Sequence, residues 1–132
     1  KMPSLWPADA KARAMARAVS AEMHSGFKAL RQTMPMDIHA SKPHAERSAE
    51  TNADIDRIIS IWETCRERFA ERGPFLFGDF SIADAMYAPV IWRFLTYGVS
   101  LPPASRAWSE TMRALPAMQE CYADALAEAS AA

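Results

Sequence analysis

One row of side chains early in the chain has the composition of an anion site. Arg13, Arg17, Ser20, His24, Lys28 and Arg31 recur at helical spacing, and between the two outer arginines Glu22 is the one acid. Guanidinium and ammonium groups make charge-assisted hydrogen bonds to carboxylates and phosphates, and a histidine adds a donor whose charge responds near neutral pH. The same row would serve as an ordinary solvated helix face. The sequence leaves both readings open. Other chemistry-bearing residues are sparse. Cys65 falls on an apolar stripe with no cation on the same face, which does not lower a thiol pKa, and Cys121 lies inside another helical pattern. No cysteine or acid cluster completes a metal site around His39 and His44. No nucleophile, base and orienting group come together, so neither a catalytic residue nor a metal is expected in this chain.

Composition narrows the class. Hydrophobic residues make up 50% of the 132 residues and charged residues 23%, with a net charge of −1. A single domain of this size buries about two thirds of its unfolded surface, and one domain over 1–132 is expected. The charge balance lacks the basic field that nucleic acid requires, so nucleic acid is excluded as a partner. Two cysteines with no disulfide framework, and no basic start followed by an apolar run, indicate reduced thiols in a cytoplasmic protein. Lys1 reads as a cut point rather than a natural start.

The elements that must position the cationic row are helices. Met15, Val19, Met23, Phe27, Leu30 and Met34 draw one apolar stripe, which predicts a single helix of about seven turns running from Ala8 to Met34. Beside it, Ala10, Ala14, Ala18, Ala21 and Ser25 form a small row that lets another helix approach closely, from the same chain or from another subunit. Pro35 to Thr51 reads as a polar connection. Thr51 and Asp54 form a capping-box pattern before a second stripe of Ile55, Ile58, Ile59, Trp62, Cys65 and Phe69. The charges opposite, including Arg57 and Glu63, are expected to face solvent. Gly73-Pro74 ends that helix.

The post of the domain is the span from Ile82 to Tyr97. Ser81 and Asp84 have the spacing of a capping box, and beyond them only Arg93 and Thr96 are strongly polar, so this helix must be buried on nearly all sides. It is too short to cross a membrane, and no membrane partner is expected. Gly98 suits the left-handed residue that closes a helix. Two shorter helices follow, one through Trp108 and Met112 and one from Pro116 through Met118, Cys121, Tyr122 and Leu126. The fold class is all-α: about five helices around a buried, capped core helix.

Two segments carry a family resemblance. Gly78-Asp79-Phe80-Ser81-Ile82-Ala83-Asp84 resembles the capped core helix in the C-terminal domain of glutathione S-transferases, where a Ser or Thr, two residues and an Asp follow a loop ending in an apolar residue. Glu22-Met23-His24-Ser25-Gly26-Phe27 resembles the Glu-x-His-x-Gly-Phe segment on the first helix of that domain in bacterial beta-class enzymes. The resemblance implies an all-helical domain in which Ala21, Glu22, Met23 and His24 face an interdomain cleft and contact glutathione. It also implies that Arg17, where the family commonly has Asn, reaches the neighbouring subunit's glutathione site. The last helix borders a hydrophobic co-substrate pocket in the family, which would bring Tyr122 and Leu126 to it; packing into the core is the other reading of those two residues.

The resemblance implies the rest of the function as well. An N-terminal thioredoxin-like domain, expected to lie outside this chain, would hold most of the tripeptide and carry the Ser, Tyr or Cys that ionises its thiol. The intact protein would then be a cytoplasmic, homodimeric detoxification enzyme conjugating glutathione, as substrate and not as cofactor, to a small hydrophobic electrophile. The fragment alone would be inactive. The alternative is a noncatalytic transferase-like module for protein interaction.

Overall fold

The computed structural model describes residues 5–131, so Lys1, read from the sequence as a cut point, lies outside the described residues. Six α-helices follow in order: α1 (Ala10–Ser25), α2 (Lys28–Thr33), α3 (Ala49–Phe69), α4 (Ile82–Thr96), α5 (Pro103–Arg113) and α6 (Pro116–Ala131). Among the described residues there is no strand, only two isolated bridges in the loop before α4. The all-α class and the central capped helix are as expected.

α4 begins with the predicted capping box. The Ser81 amide donates to Asp84 Oδ2 at 2.9 Å, and the Ser81 hydroxyl reaches the same oxygen at 3.3 Å. Tyr87, Val90, Ile91, Trp92 and Phe94 carry its buried faces. Ala85, Pro89 and Leu95 are exposed, so burial is less complete than the apolar composition predicts. At the far end Gly98 takes φ 64°. The Val99 amide then reaches the Phe94 carbonyl at 2.9 Å and the Gly98 amide reaches that of Leu95 at 3.3 Å, a Schellman closure. Trp62 of α3 stands against this helix and α5, its ring centroid 4.5 Å from Trp108 and 5.4 Å from Phe94. Burying each such side chain contributes about 1.5–3 kcal/mol.

The single long first helix predicted from the apolar stripe is two helices. Gly26 leaves the helix with ψ −169° and Phe27 adopts a left-handed φ of 60°. Glycine weakens a helix interior by about 1 kcal/mol relative to alanine, and here tertiary bonding takes over from the missing ladder. The Asp54 carboxylate, on α3, accepts the Leu30 amide at 3.1 Å and so caps the start of α2, which has no side-chain cap of its own. The stripe keeps its burial across the break: Val19, Met23, Phe27, Leu30 and Met34 are all in the core.

Two further expectations change for the same reason. α3 is capped by Ser48, whose hydroxyl accepts the Thr51 amide at 3.1 Å, because Asp54 is engaged with α2 and Thr51 is buried against Thr33 at 3.1 Å. Glu63 does not face solvent alone. Its Oε2 accepts the Ser105 amide at 2.8 Å and the Ser105 hydroxyl at 2.6 Å, capping α5 behind Pro102 and Pro103. Two acids of α3 thus hold the first turns of two neighbouring helices, where anionic oxygens are favoured. The small row Ala10, Ala14, Ala18, Ala21 and Ser25 is exposed; Ala12 and Ala16 lie in the core instead. Tyr87 fastens α4 to α1 by donating to the Val19 carbonyl at 2.7 Å.

Candidate functional site

The end of α1 and the kink after it open a cavity of about 310 Å³ against α4. Met23 and His24 enter it from α1, Arg31 from α2, and Met86, Val90 and Arg93 from α4. The kink makes this possible, because a continuous helix would carry Arg31 onward along its axis instead of turning α2 at Phe27. Arg31 is anchored by donating to the Gly26 carbonyl at the kink itself. His24 is exposed at the rim and Met23 is buried at the floor. Arg93 is half-buried, with its Nε enclosed and without a hydrogen-bond partner. Burial pushes the Arg93 pKa below its ordinary value, and the nearby Arg31 charge adds to that displacement.

The cationic row of the sequence is divided by this geometry. Arg13 donates to the Ala8 carbonyl at 2.9 Å and supports the entry to α1. The Arg17 guanidinium lies over the Trp6 ring, 5.5 Å from its centroid. Ser20 is buried and Lys28 exposed. Only His24 and Arg31 share the cavity. Arg17 is therefore engaged two turns away from His24, and Ala21 is exposed between them. Glu22 turns to α3, where Arg57 Nε and Nη2 hold its two oxygens at 2.7 and 2.9 Å. Those bonds keep the Glu22 carboxyl below its usual range and raise the Arg57 pKa, so Arg57 is paired rather than facing solvent alone.

Tyr122 lines a different cavity of about 590 Å³, with Ile38, Trp92, Thr96 and Arg113 among its walls. Its ring packs 5.2 Å from His39 and 5.8 Å from Trp92, centroid to centroid. His39 is thus half-buried against an aromatic ring rather than free on the surface. Leu126 is half-exposed one turn further on and is not among that cavity's lining residues. Ser81 and Asp84 lie at the opposite end of α4 from Trp92, as structural groups. Asp84 Oδ1 accepts the Leu76 amide and the Trp108 indole, both at 2.9 Å.

Neither the buried Cys65 thiol nor the buried Tyr87 phenol is poised to react. Burial pushes the Cys65 thiol up to about 12, with the Asp84 charge adding to it, and burial likewise raises Tyr87 well above the ordinary phenol. A thiol held protonated is a poor nucleophile. Arg93 was visible in sequence as a lone cation in an apolar helix, but nothing in its spacing linked it to the first helices. Arg57 carried no signal at all.

The sequence model described as Glutathione S-transferase, C-terminal domain, matches residues 45–120, more than half of the chain. The chain belongs to that family. A solved glutathione transferase homolog from Burkholderia GL BGR1, with bound glutathione, has the same fold at a TM-score of 0.64 and 22% sequence identity. The alignment covers 92% of this transferase domain and 55% of that chain, so the domain spans about half the length of its structural relative. No curated protein matches the sequence. The family match begins beyond the His24 segment, so the core helix of this transferase domain lies inside it and the cavity's α1 and α2 walls lie before it. Among the described residues no helix of the transferase domain is long and apolar enough to cross a membrane.

Proposed function

We propose that this domain is the helical half of a glutathione transferase that joins the glutathione thiol to small hydrophobic electrophiles. In this reading an upstream thioredoxin-like domain holds most of the tripeptide and lowers the pKa of its thiol, since the thiolate is the form that attacks. The present domain contributes the exposed edge of α1, with Ala21 and His24 toward glutathione, Met23 beneath them, and Glu22 held in place by Arg57. Arg17 reaches the glutathione site of a second subunit, and Tyr122 and Leu126 belong to the outer wall of the co-substrate region. The catalytic group is supplied from outside this chain.

The observation that carries the reading is the position of His24: a family member's core helix packs against α1 so that His24 stands exposed beside a cavity lined by Met23, Met86 and Val90 together with Arg31 and Arg93. An imidazole there is a hydrogen-bond partner for a polar ligand and not a core residue. The exposed row Ala10, Ala14 and Ala18 supports a homodimer, because small side chains let a second helix come close. A cytoplasmic detoxification role is the one in which such conjugation chemistry is ordinarily used.

The test is turnover of a chromogenic aryl halide with glutathione. The intact protein is expected to conjugate it and the 132-residue chain alone is not. An intact protein that binds no glutathione and turns nothing over would leave the noncatalytic interaction module; turnover by the isolated chain would place the catalytic group here after all.

A further inference from the structure

The cavity at the α1–α2 kink is lined by three nitrogen bases and no acid. His24, Arg31 and Arg93 converge on it from three helices, and the rest of its lining is apolar, with Met23, Met86 and Val90 prominent. The acid nearest in sequence, Glu22, is committed to Arg57. The Nε of Arg93 is shut away from water and has no hydrogen-bond partner among the described residues. A buried donor left without a partner is costly, and two cations facing one hollow without an acid add repulsion. An anion entering the hollow removes both penalties at once.

We propose that this cavity selects an anionic co-substrate, an apolar molecule carrying one carboxylate or sulfonate group. The inference rests on the transferase reading for the word co-substrate, and on the lining alone for the charge. Arg93 and Arg31 offer planar donors suited to the two oxygens of a carboxylate or sulfonate. The methionines and Val90 take the apolar body, with the adaptable thioether chains fitting bodies of different outline. His24 stands between this hollow and the exposed edge of α1, so the anionic molecule would lie beside glutathione and not in its place.

A matched pair of fluorescent probes tests this on the intact protein. Anilinonaphthalene sulfonate and neutral N-phenylnaphthylamine share an apolar body and differ in the sulfonate. The charged probe is expected to bind about tenfold more tightly than the neutral one, the size of one good charge-assisted contact. That preference should vanish in Arg93→Met, return in Arg93→Lys, and fall in Arg31→Gln, an exposed position that gives up one bond to the Gly26 carbonyl, so melting temperature is read alongside in every variant. Binding of the charged probe should persist at saturating glutathione. Equal affinity for the two probes, or a preference untouched by Arg31→Gln and Arg93→Met alike, overturns the proposal. Displacement by glutathione also overturns it, because the cations would then serve a glutathione carboxylate. Glutathione affinity is measured separately by calorimetry: if glutathione does not bind while the charged-probe preference survives, the transferase reading fails and the anion cavity stands.

Discussion

The Asp84 carboxylate and the Trp108 indole meet at 2.9 Å across 24 residues of sequence, joining the first turn of α4 to the middle of α5. Asp84 also accepts the Leu76 and Ser81 amides, so one buried carboxyl organises the loop before α4, the helix start and the neighbouring helix. A helix cap is ordinarily a local device. Here it is also a tertiary one.

Asp84→Ala leaves those donors buried without an acceptor and is expected to cost at least about 3 kcal/mol in urea unfolding. Trp108→Phe, which removes one donor and little area, should cost about 1–2 kcal/mol, and Ser81→Ala about 1 kcal/mol. Costs near zero for Asp84→Ala would mean that the carboxyl is solvated in solution.

Burial raises the Asp84 pKa above its ordinary value in spite of the hydrogen bonds that pull it down. A raised folded pKa means that the native state holds the proton more tightly, so this group's contribution is fullest below the ordinary aspartate value. It is lost as pH rises through the raised value. The stability difference between the native protein and Asp84→Asn is therefore expected to shrink with rising pH across that window. A difference that grows with pH would reverse the assignment.

Glu22 should behave in the opposite sense. Its pKa is lowered by the Arg57 hydrogen bonds, so its contribution is present above the ordinary glutamate value and lost as pH falls through the lowered one. The pair is partly exposed, and Glu22→Gln is expected to cost only about 0.5 kcal/mol at neutral pH, read from the urea midpoint. A loss several times larger would show that Glu22 holds the end of α1 in place.

The two cysteines differ in reactivity. Cys65 is buried with its thiol pushed up to about 12, while Cys121 is exposed on α6. A thiol reagent at mild alkaline pH should label one site rapidly in the native protein and the second only after denaturation. Equal rapid labelling would take the Cys65 stripe out of the core.

The α-helical class, the capping box, the closure at Gly98 and the buried stripes were legible because each is local or periodic. Ser81, Asp84 and Gly98 act within a few residues of themselves, and a stripe repeats its signal every turn. The kink at Gly26 was not legible, since Phe27 continues the apolar spacing through it and the acceptor that stabilises the break, Asp54, comes from α3. Caps supplied by another helix leave no pattern in the helix they cap, which is why Glu63 reads as a surface charge, and Arg57 reads as one because its partner Glu22 lies on a different helix, 35 residues earlier. The cavity shares this limit. His24 was visible as a candidate, but Arg31 joins it only because the chain bends, and Arg93 only because α4 packs alongside.

Gly26→Ala probes that bend. A Cβ at Gly26 would stand 2.7 Å from the Glu22 carbonyl oxygen, which is backbone and cannot swing aside. The substitution is expected to destabilise the domain by roughly 2 kcal/mol and to weaken ligand binding at the cavity, seen by melting temperature and calorimetry together. An unchanged melting temperature would show that α1 and α2 can run on as one helix.

The central claim is that the end of α1 faces glutathione through His24. Calorimetric titration of glutathione into the intact protein and into His24→Ala tests it most directly, because the exposed imidazole makes no packing contribution to lose. The account predicts an affinity about tenfold weaker with the melting temperature unchanged. Identical affinities in the two proteins would contradict it.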